Sequence, residues 1–187
     1  MVRYAPIFLL LGFASCGPLP PSATLPADAV QGAGDPTRTT ILSSAYVFNA
    51  PAELAGRPAA AARALAGMEY LAAEIPIGPR WIEYTPQVTF ELRAARAEWR
   101  QVLGIPPDAL PQPVVDSLFA VARGAGAEAL PPRLFTQPLV TFARLGALPA
   151  LPKTAYAAAL TQQELNRIDS LGRFSQGGGS GSGGRGQ

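Results

Sequence analysis

The chain has 187 residues, of which 48% are hydrophobic and only 15% are charged, whereas roughly 25% of residues are charged in an average soluble domain. This length suffices for one compact domain, and a net charge of +2 is too small to attract nucleic acid. The sequence has no histidine, which excludes histidine-activated nucleophiles and removes the commonest metal ligand. It has one cysteine, which excludes an intramolecular disulfide. We therefore predict no metal, no cofactor and no nucleic-acid partner.

The N-terminus has the pattern of a secretory signal peptide. Arg3 precedes an apolar run over residues 5–13, and two small residues stand before the only cysteine, Cys16. The run is too short and wrongly flanked to be a spanning helix. The sequence Phe13-Ala14-Ser15-Cys16 resembles the lipobox of bacterial lipoproteins, although that family prefers Leu at the first position. The resemblance implies a signal peptide over residues 1–15 and a lipid-modified Cys16 at the start of the mature protein. An ordinary secretion signal with an incidental thiol is the alternative.

The same resemblance implies a location in the cell envelope. Gly17 follows the cysteine, at the position where Asp favours retention in the inner membrane of such bacteria. We therefore expect the lipid on Cys16 to anchor the protein at the periplasmic face of the outer membrane.

The segments that flank the apolar middle of the chain predict a tether and a tail. Residues 16–38 are rich in proline and small residues, which is typical of an extended tether. Residues 39–48 are β-branched and aromatic and could form a lone strand or a segment that docks on helices. We favour docking, because no partner strand is visible. The glycine- and serine-rich residues 175–187 predict a disordered tail.

The clearest helical pattern lies between residues 86 and 103. Thr85 is a good N-cap, Pro86 suits the first helical position, and Gly104 stands just past the end. Apolar residues recur at spacings of 4, 3, 4 and 3 and predict one buried seam, which consists of Val88, Leu92, Ala95, Trp99 and Val102. We expect this helix to be the centre of the core.

Prolines at helix starts and between helices divide the rest of the domain. Further helices are predicted over residues 58–75, from residue 113 to the glycines at 124 and 126, and over residues 139–145 and 153–171. The sequence therefore predicts an all-α domain over residues 39–174, a small irregular bundle of about five helices with proline-rich connectors. This layout resembles that of small helical lipoproteins of GC-rich Gram-negative bacteria, a resemblance that implies no activity.

One cationic stripe occurs at helical spacing, formed by Arg93, Arg96 and Arg100. It could hold lipid headgroups or an acidic envelope protein. Alternatively, the three side chains form a solvated face that is paired with Glu91 and Glu98 of the same helix. We favour this second interpretation.

Two other sets of side chains are candidates for chemistry. A pair of carboxylates could act as acid and base, and the candidates are Glu53, Glu69, Glu74, Glu83, Glu91 and Glu98. Most of them fall on predicted solvent faces, so a structural role is favoured. Aromatic rings could line an apolar pocket but are expected to fill the core, and these are Trp81, Tyr84, Phe90, Trp99, Phe119 and Phe142.

Three classes of function remain open. The favoured one is a non-catalytic, membrane-anchored interaction or scaffolding module with an envelope protein as its partner. The second is a periplasmic binder of an apolar or lipid ligand between helices, which requires an internal cavity. The third, a carboxylate-based hydrolase, requires two acids that face one cleft.

Overall fold

The computed structural model describes residues 21–30 and 34–177, with side chains up to residue 172. Within these ranges the protein has six α-helices and no β-strand, which confirms the all-α prediction. The helices are α1 (Pro36–Asn49), α2 (Pro58–Glu74), α3 (Pro86–Leu103), α4 (Pro111–Ala122), α5 (Pro138–Gly146) and α6 (Pro152–Gly177). The predicted signal peptide and Cys16 lie outside the described residues, as do residues 178–187 of the predicted tail.

Helix α2 is the centre of the bundle, because it packs against α1, α3, α4 and α5. All but two of residues 61–73 are buried. Small side chains let the neighbouring helices approach closely: a Cβ on Gly67 would lie 2.9 Å from Cγ2 of Thr40 on α1. The expectation that α3 would be central is therefore wrong. A strong apolar stripe marks a helix with one face in solvent, whereas a helix surrounded by protein is apolar on all sides.

Helix α3 has the buried seam that its sequence predicts. Val88, Leu92, Ala95 and Trp99 are fully buried, and at the C-terminal end Leu103 takes the core position that was assigned to Val102. The helix ends at Gly104, whose φ of 66° places it in the left-handed region that favours glycine.

Helix α1 covers residues 39–48, for which the sequence predicts a lone strand or a docking segment. Asp35 is its N-cap, with a side-chain oxygen that accepts a hydrogen bond from the backbone N–H of Thr37 at 3.0 Å. Ile41, Ala45 and Phe48 then lie buried on one face. Helical spacing of the apolar residues thus outweighed the β-propensity of the segment.

The folded part of the chain begins earlier than residue 39. Ala23 is buried, and Thr24 donates its backbone N–H to Oε1 of Gln112 on α4 at 2.6 Å. Asp28 forms an ion pair with Arg123. Residues from the predicted tether therefore pack on the helical body.

Helices α3 and α6 lie side by side, and each caps the other. A carboxylate oxygen of Glu98 on α3 accepts the backbone N–H of Thr154 at 2.8 Å, in the first turn of α6. In return, Glu164 on α6 accepts the backbone N–H of Thr85, the N-cap residue of α3, at 3.2 Å. These contacts satisfy N–H groups that a helix leaves unpaired and place negative charge at both N-termini.

Candidate functional site

The three arginines of the predicted stripe do lie together. Arg93, Arg96 and Arg100 line one open groove of about 450 Å³, which we call the arginine groove. Its far wall is the connector that follows α3, which contributes Ile105 and Pro107. The residues that line the groove include no acid.

A buried carboxylate lies behind this groove. Glu69 projects from α2 and is 0% exposed. Its Oε1 accepts hydrogen bonds from Nε of Arg96 at 3.0 Å and from both Arg96 Nη2 and Arg100 Nη2. Its Oε2 accepts the indole N–H of Trp99 at 2.9 Å and Nε of Arg100 at 3.3 Å. Five N–H donors therefore converge on one carboxylate.

The surroundings of Glu69 keep it ionised. Burial alone would raise the pKa of Glu69, but hydrogen bonds from Arg100 and the charge and hydrogen bonds of Arg96 lower that pKa below its ordinary value of 4.5. A carboxylate that is buried and bound in this way is a structural counter-ion. It is not poised to accept a proton as a catalytic base, since its lone pairs are already used.

Arg100 is committed to the fold. It is 4% exposed, and its five N–H donors all have acceptors. Two go to Glu69, and three go to the backbone carbonyls of Pro106, Pro107 and Ala109. Arg100 thus ties the α3–α4 connector to the core and is not available to a partner.

Arg93 and Arg96 remain open to the groove. Arg93 is exposed and has no hydrogen-bond or ion-pair partner among the described residues. The side chain of Arg96 is 24% exposed, and Glu69 engages its Nε and Nη2, so Nη1 is left for the groove. The arginine groove therefore has an excess of positive charge, because three guanidinium groups share one carboxylate.

The favoured interpretation of the stripe, a solvated face paired with Glu91 and Glu98, is wrong. Glu98 caps α6, and Glu91 makes no hydrogen bond or ion pair with an arginine in the described part of the chain. Arg96 and Arg100 pair instead with Glu69, which is 27 and 31 residues away in sequence. A periodicity argument within one helix cannot find such a pair. The only sign of this pair in the sequence is Glu69 itself, an acid inside the apolar run of residues 65–73.

Most of the other candidate side chains have structural roles, whereas Glu91 makes no hydrogen bond or ion pair among the described residues. Glu74 accepts the indole N–H of Trp81 at 3.3 Å. Four of the six aromatic rings are buried as expected, and Phe142 is half-buried. Phe90, however, is 68% exposed.

Phe90 borders a second groove, of about 520 Å³, which we call the apolar groove. It lies between the start of α3 and the α2–α3 connector, which contributes Ile77, Trp81 and Ile82. Ile82 is 86% exposed. Arg93 lines this groove as well as the arginine groove, so the two meet at that residue.

Several specific features are absent from the described residues. They contain no cluster of three or more histidine, cysteine, aspartate or glutamate side chains that could hold a metal ion. No helix within residues 21–30 and 34–177 has the length and apolar character needed to cross a bilayer. A lipid ligand between helices would need a cavity lined by side chains such as Leu92, Trp99, Phe119 and Phe142. Leu92 and Trp99 are fully buried, whereas Phe119 borders a groove of about 160 Å³ together with residues of α1 and α2.

Comparison with known proteins gives no relative. No protein-family model, no curated protein and no solved structure matches this chain.

Proposed function

We propose that this protein is a lipid-anchored lipoprotein of the bacterial cell envelope that acts as a non-catalytic interaction module. The anchor is a lipid on Cys16, at the periplasmic face of the outer membrane. The binding face is the arginine groove, and the partner presents negative charge to it.

The excess of guanidinium groups in the arginine groove carries this proposal. An arginine without a counter-ion, beside a second arginine that is only partly engaged, favours binding of carboxylate or phosphate groups. Glu69 already fixes Arg96 and Arg100, so of the three arginines only Arg93 must lose side-chain freedom when a partner binds. The buried carboxylate is bound to arginines, which supports a binding role over acid–base chemistry.

Photo-crosslinking in the native envelope tests the binding face. Gln101 lines the arginine groove and is exposed, and Gln163 is an exposed glutamine on α6 that does not line the groove. We expect a photoreactive amino acid at Gln101 to give a discrete adduct that the control at Gln163 does not give. The adduct should weaken when Arg93→Gln is added. Equal labelling from both positions would contradict the proposed binding face.

Metabolic labelling tests the anchor separately. We expect Cys16→Ser to abolish incorporation of labelled fatty acid and to leave the protein either soluble in the periplasm or uncleaved, because the variant lacks the thiol that carries the lipid. Incorporation of labelled fatty acid into the variant at the wild-type level would rule out Cys16 as the lipidation site, with no bearing on the arginine groove.

A further inference from the structure

The arginine groove and the apolar groove lie end to end along α3 and share Arg93, and together we call them the channel. The residues of α3 that line them are Pro86, Thr89, Phe90, Arg93, Arg96, Ala97, Arg100 and Gln101. They recur at spacings of three and four and so lie on one face of the helix. From residue 86 to residue 101 this face is about 22 Å long, at about 1.5 Å per residue.

The two ends of this channel differ in chemistry. At the N-terminal end of α3, Phe90 and Ile82 expose large apolar surfaces beside the buried ring of Trp81. At the other end the arginines supply positive charge, and the residues that line either groove include no acid. An occupant that complements the whole channel must therefore be apolar at one end and anionic at the other.

We propose that this channel binds an extended peptide segment of an envelope protein, with a large apolar side chain in the apolar groove and a carboxylate at Arg93 and Arg96. This inference rests on the proposed function and adds the chemical class of the partner. Phe90 and Arg96 are six residues apart on α3, or about 9 Å along its axis. An extended chain covers that distance in about three residues. The segment thus carries an aromatic or large aliphatic residue about three positions from an Asp or Glu.

The shape of the channel favours a peptide over a bilayer surface. The arginine groove has walls on both sides, from α3 and from the connector at Ile105 and Pro107. A groove with walls on two sides fits the projecting side chains of an extended segment better than it fits a flat membrane surface. A length of about 22 Å accommodates about seven residues of extended chain.

Selection of random seven-residue peptides displayed on phage against the purified protein tests the inference. We expect the enriched peptides to combine a large apolar residue with Asp or Glu about three positions away. Anisotropy of one enriched, labelled peptide then gives its affinity. Phe90→Ala should weaken binding about tenfold, as expected for loss of a buried aromatic contact. Arg93→Gln should weaken it several-fold, and the wild-type affinity should fall as ionic strength rises from about 0.1 M to about 1 M.

Matched controls use residues that line neither groove. Arg133 is exposed and has no ion pair among the described residues, and Leu139 is 79% exposed on α5. Arg133→Gln and Leu139→Ala should leave peptide affinity unchanged. Thermal unfolding of every variant verifies that the fold is intact, and little change is expected because the four substituted side chains are exposed.

Each alternative outcome has a defined meaning. Peptides that are acidic but lack an apolar residue, with affinity unaffected by Phe90→Ala, would overturn this inference and leave the proposed anionic partner standing. If no peptide is enriched and the protein sediments with phosphatidylglycerol vesicles in a manner lost in Arg93→Gln, the face binds membrane and the peptide inference is wrong. If Arg93→Gln changes neither peptide nor vesicle binding, both this inference and the proposed binding face are wrong.

Discussion

The buried carboxylate of Glu69 offers the sharpest test of how this fold is held together. Glu69→Gln keeps the shape of the side chain but removes the charge and directs an amide N–H₂ group at N–H donors of the arginines or Trp99. Breaking a buried ion pair by removing one partner typically costs about 3–5 kcal/mol. Arg96 is 24% exposed and can turn to water, and Arg100 retains three backbone carbonyls. We therefore expect the lower end, about 3 kcal/mol.

Urea and thermal unfolding measure this loss. For a domain of this size, about 3 kcal/mol corresponds to a midpoint lowered by about 6–12 °C. Glu91→Gln is the matched control, because Glu91 lies on α3 and has no hydrogen bond or ion pair within the described part of the chain. It should change stability by no more than about 0.5 kcal/mol. If Glu69→Gln unfolds at the same midpoint as this control, the Glu69 network does not stabilise the fold.

The pH dependence of stability, compared between wild type and Glu69→Gln, tests whether the charge of Glu69 causes the loss. The pKa of Glu69 is lower in the folded protein than its ordinary value of 4.5. Its contribution is therefore complete above that value and is lost as the pH falls through the folded pKa. The stability difference between wild type and Glu69→Gln should be largest above about pH 4.5 and should narrow in more acidic solution. A difference that is independent of pH would point to packing as its cause.

Three further substitutions test separate parts of the fold by the same unfolding measurements. Trp99→Ala removes a fully buried ring and the indole donor to Glu69, so we expect the free energy of unfolding to fall by about 3–5 kcal/mol. An unchanged midpoint would show that the α3 seam is not in the core. Glu98→Gln weakens the charged cap at the start of α6 and should cost about 1 kcal/mol, with a neutral result arguing against the cap. Tyr84→Phe should be neutral or stabilising by up to about 1 kcal/mol, since the Tyr84 hydroxyl is buried with no hydrogen-bond partner among the described residues. Clear destabilisation would reveal a partner such as a bound water.

Local signals in the sequence predicted most of the helices. Proline stands at the first position of all six described helices, and Gly104 ends α3 in the left-handed conformation. These signals act through the backbone of the residue itself, so they can be read without knowledge of the fold. The segment of α1 has no such local signal, because its β-branched residues favour a strand. Its apolar residues favour a helix only when α2 and α6 are there to bury them.

The binding face could be predicted only in part. The spacing of Arg93, Arg96 and Arg100 places them correctly on one face of α3. Which of them faces solvent depends on α2, because the crossing of the two helices brings Glu69 against Arg96 and Arg100 but not against Arg93. Burial of Phe90 was predicted from residue type, yet it lies on the same outer face as Arg93. Helical position therefore outweighs hydrophobicity at that site.

The docked N-terminal segment limits where a partner can be. Only seven Cα–Cα steps separate Cys16 from Ala23, the first of the described residues that is buried on the helical body. Fully extended, they span at most about 25 Å, whereas a tether running to residue 38 would reach about 75 Å. If Cys16 carries the proposed lipid, the domain is held close to the membrane for as long as this segment stays docked through Asp28–Arg123 and its neighbours. The arginine groove can then meet only partners near the same membrane surface, so a crosslinked partner should fractionate with that membrane.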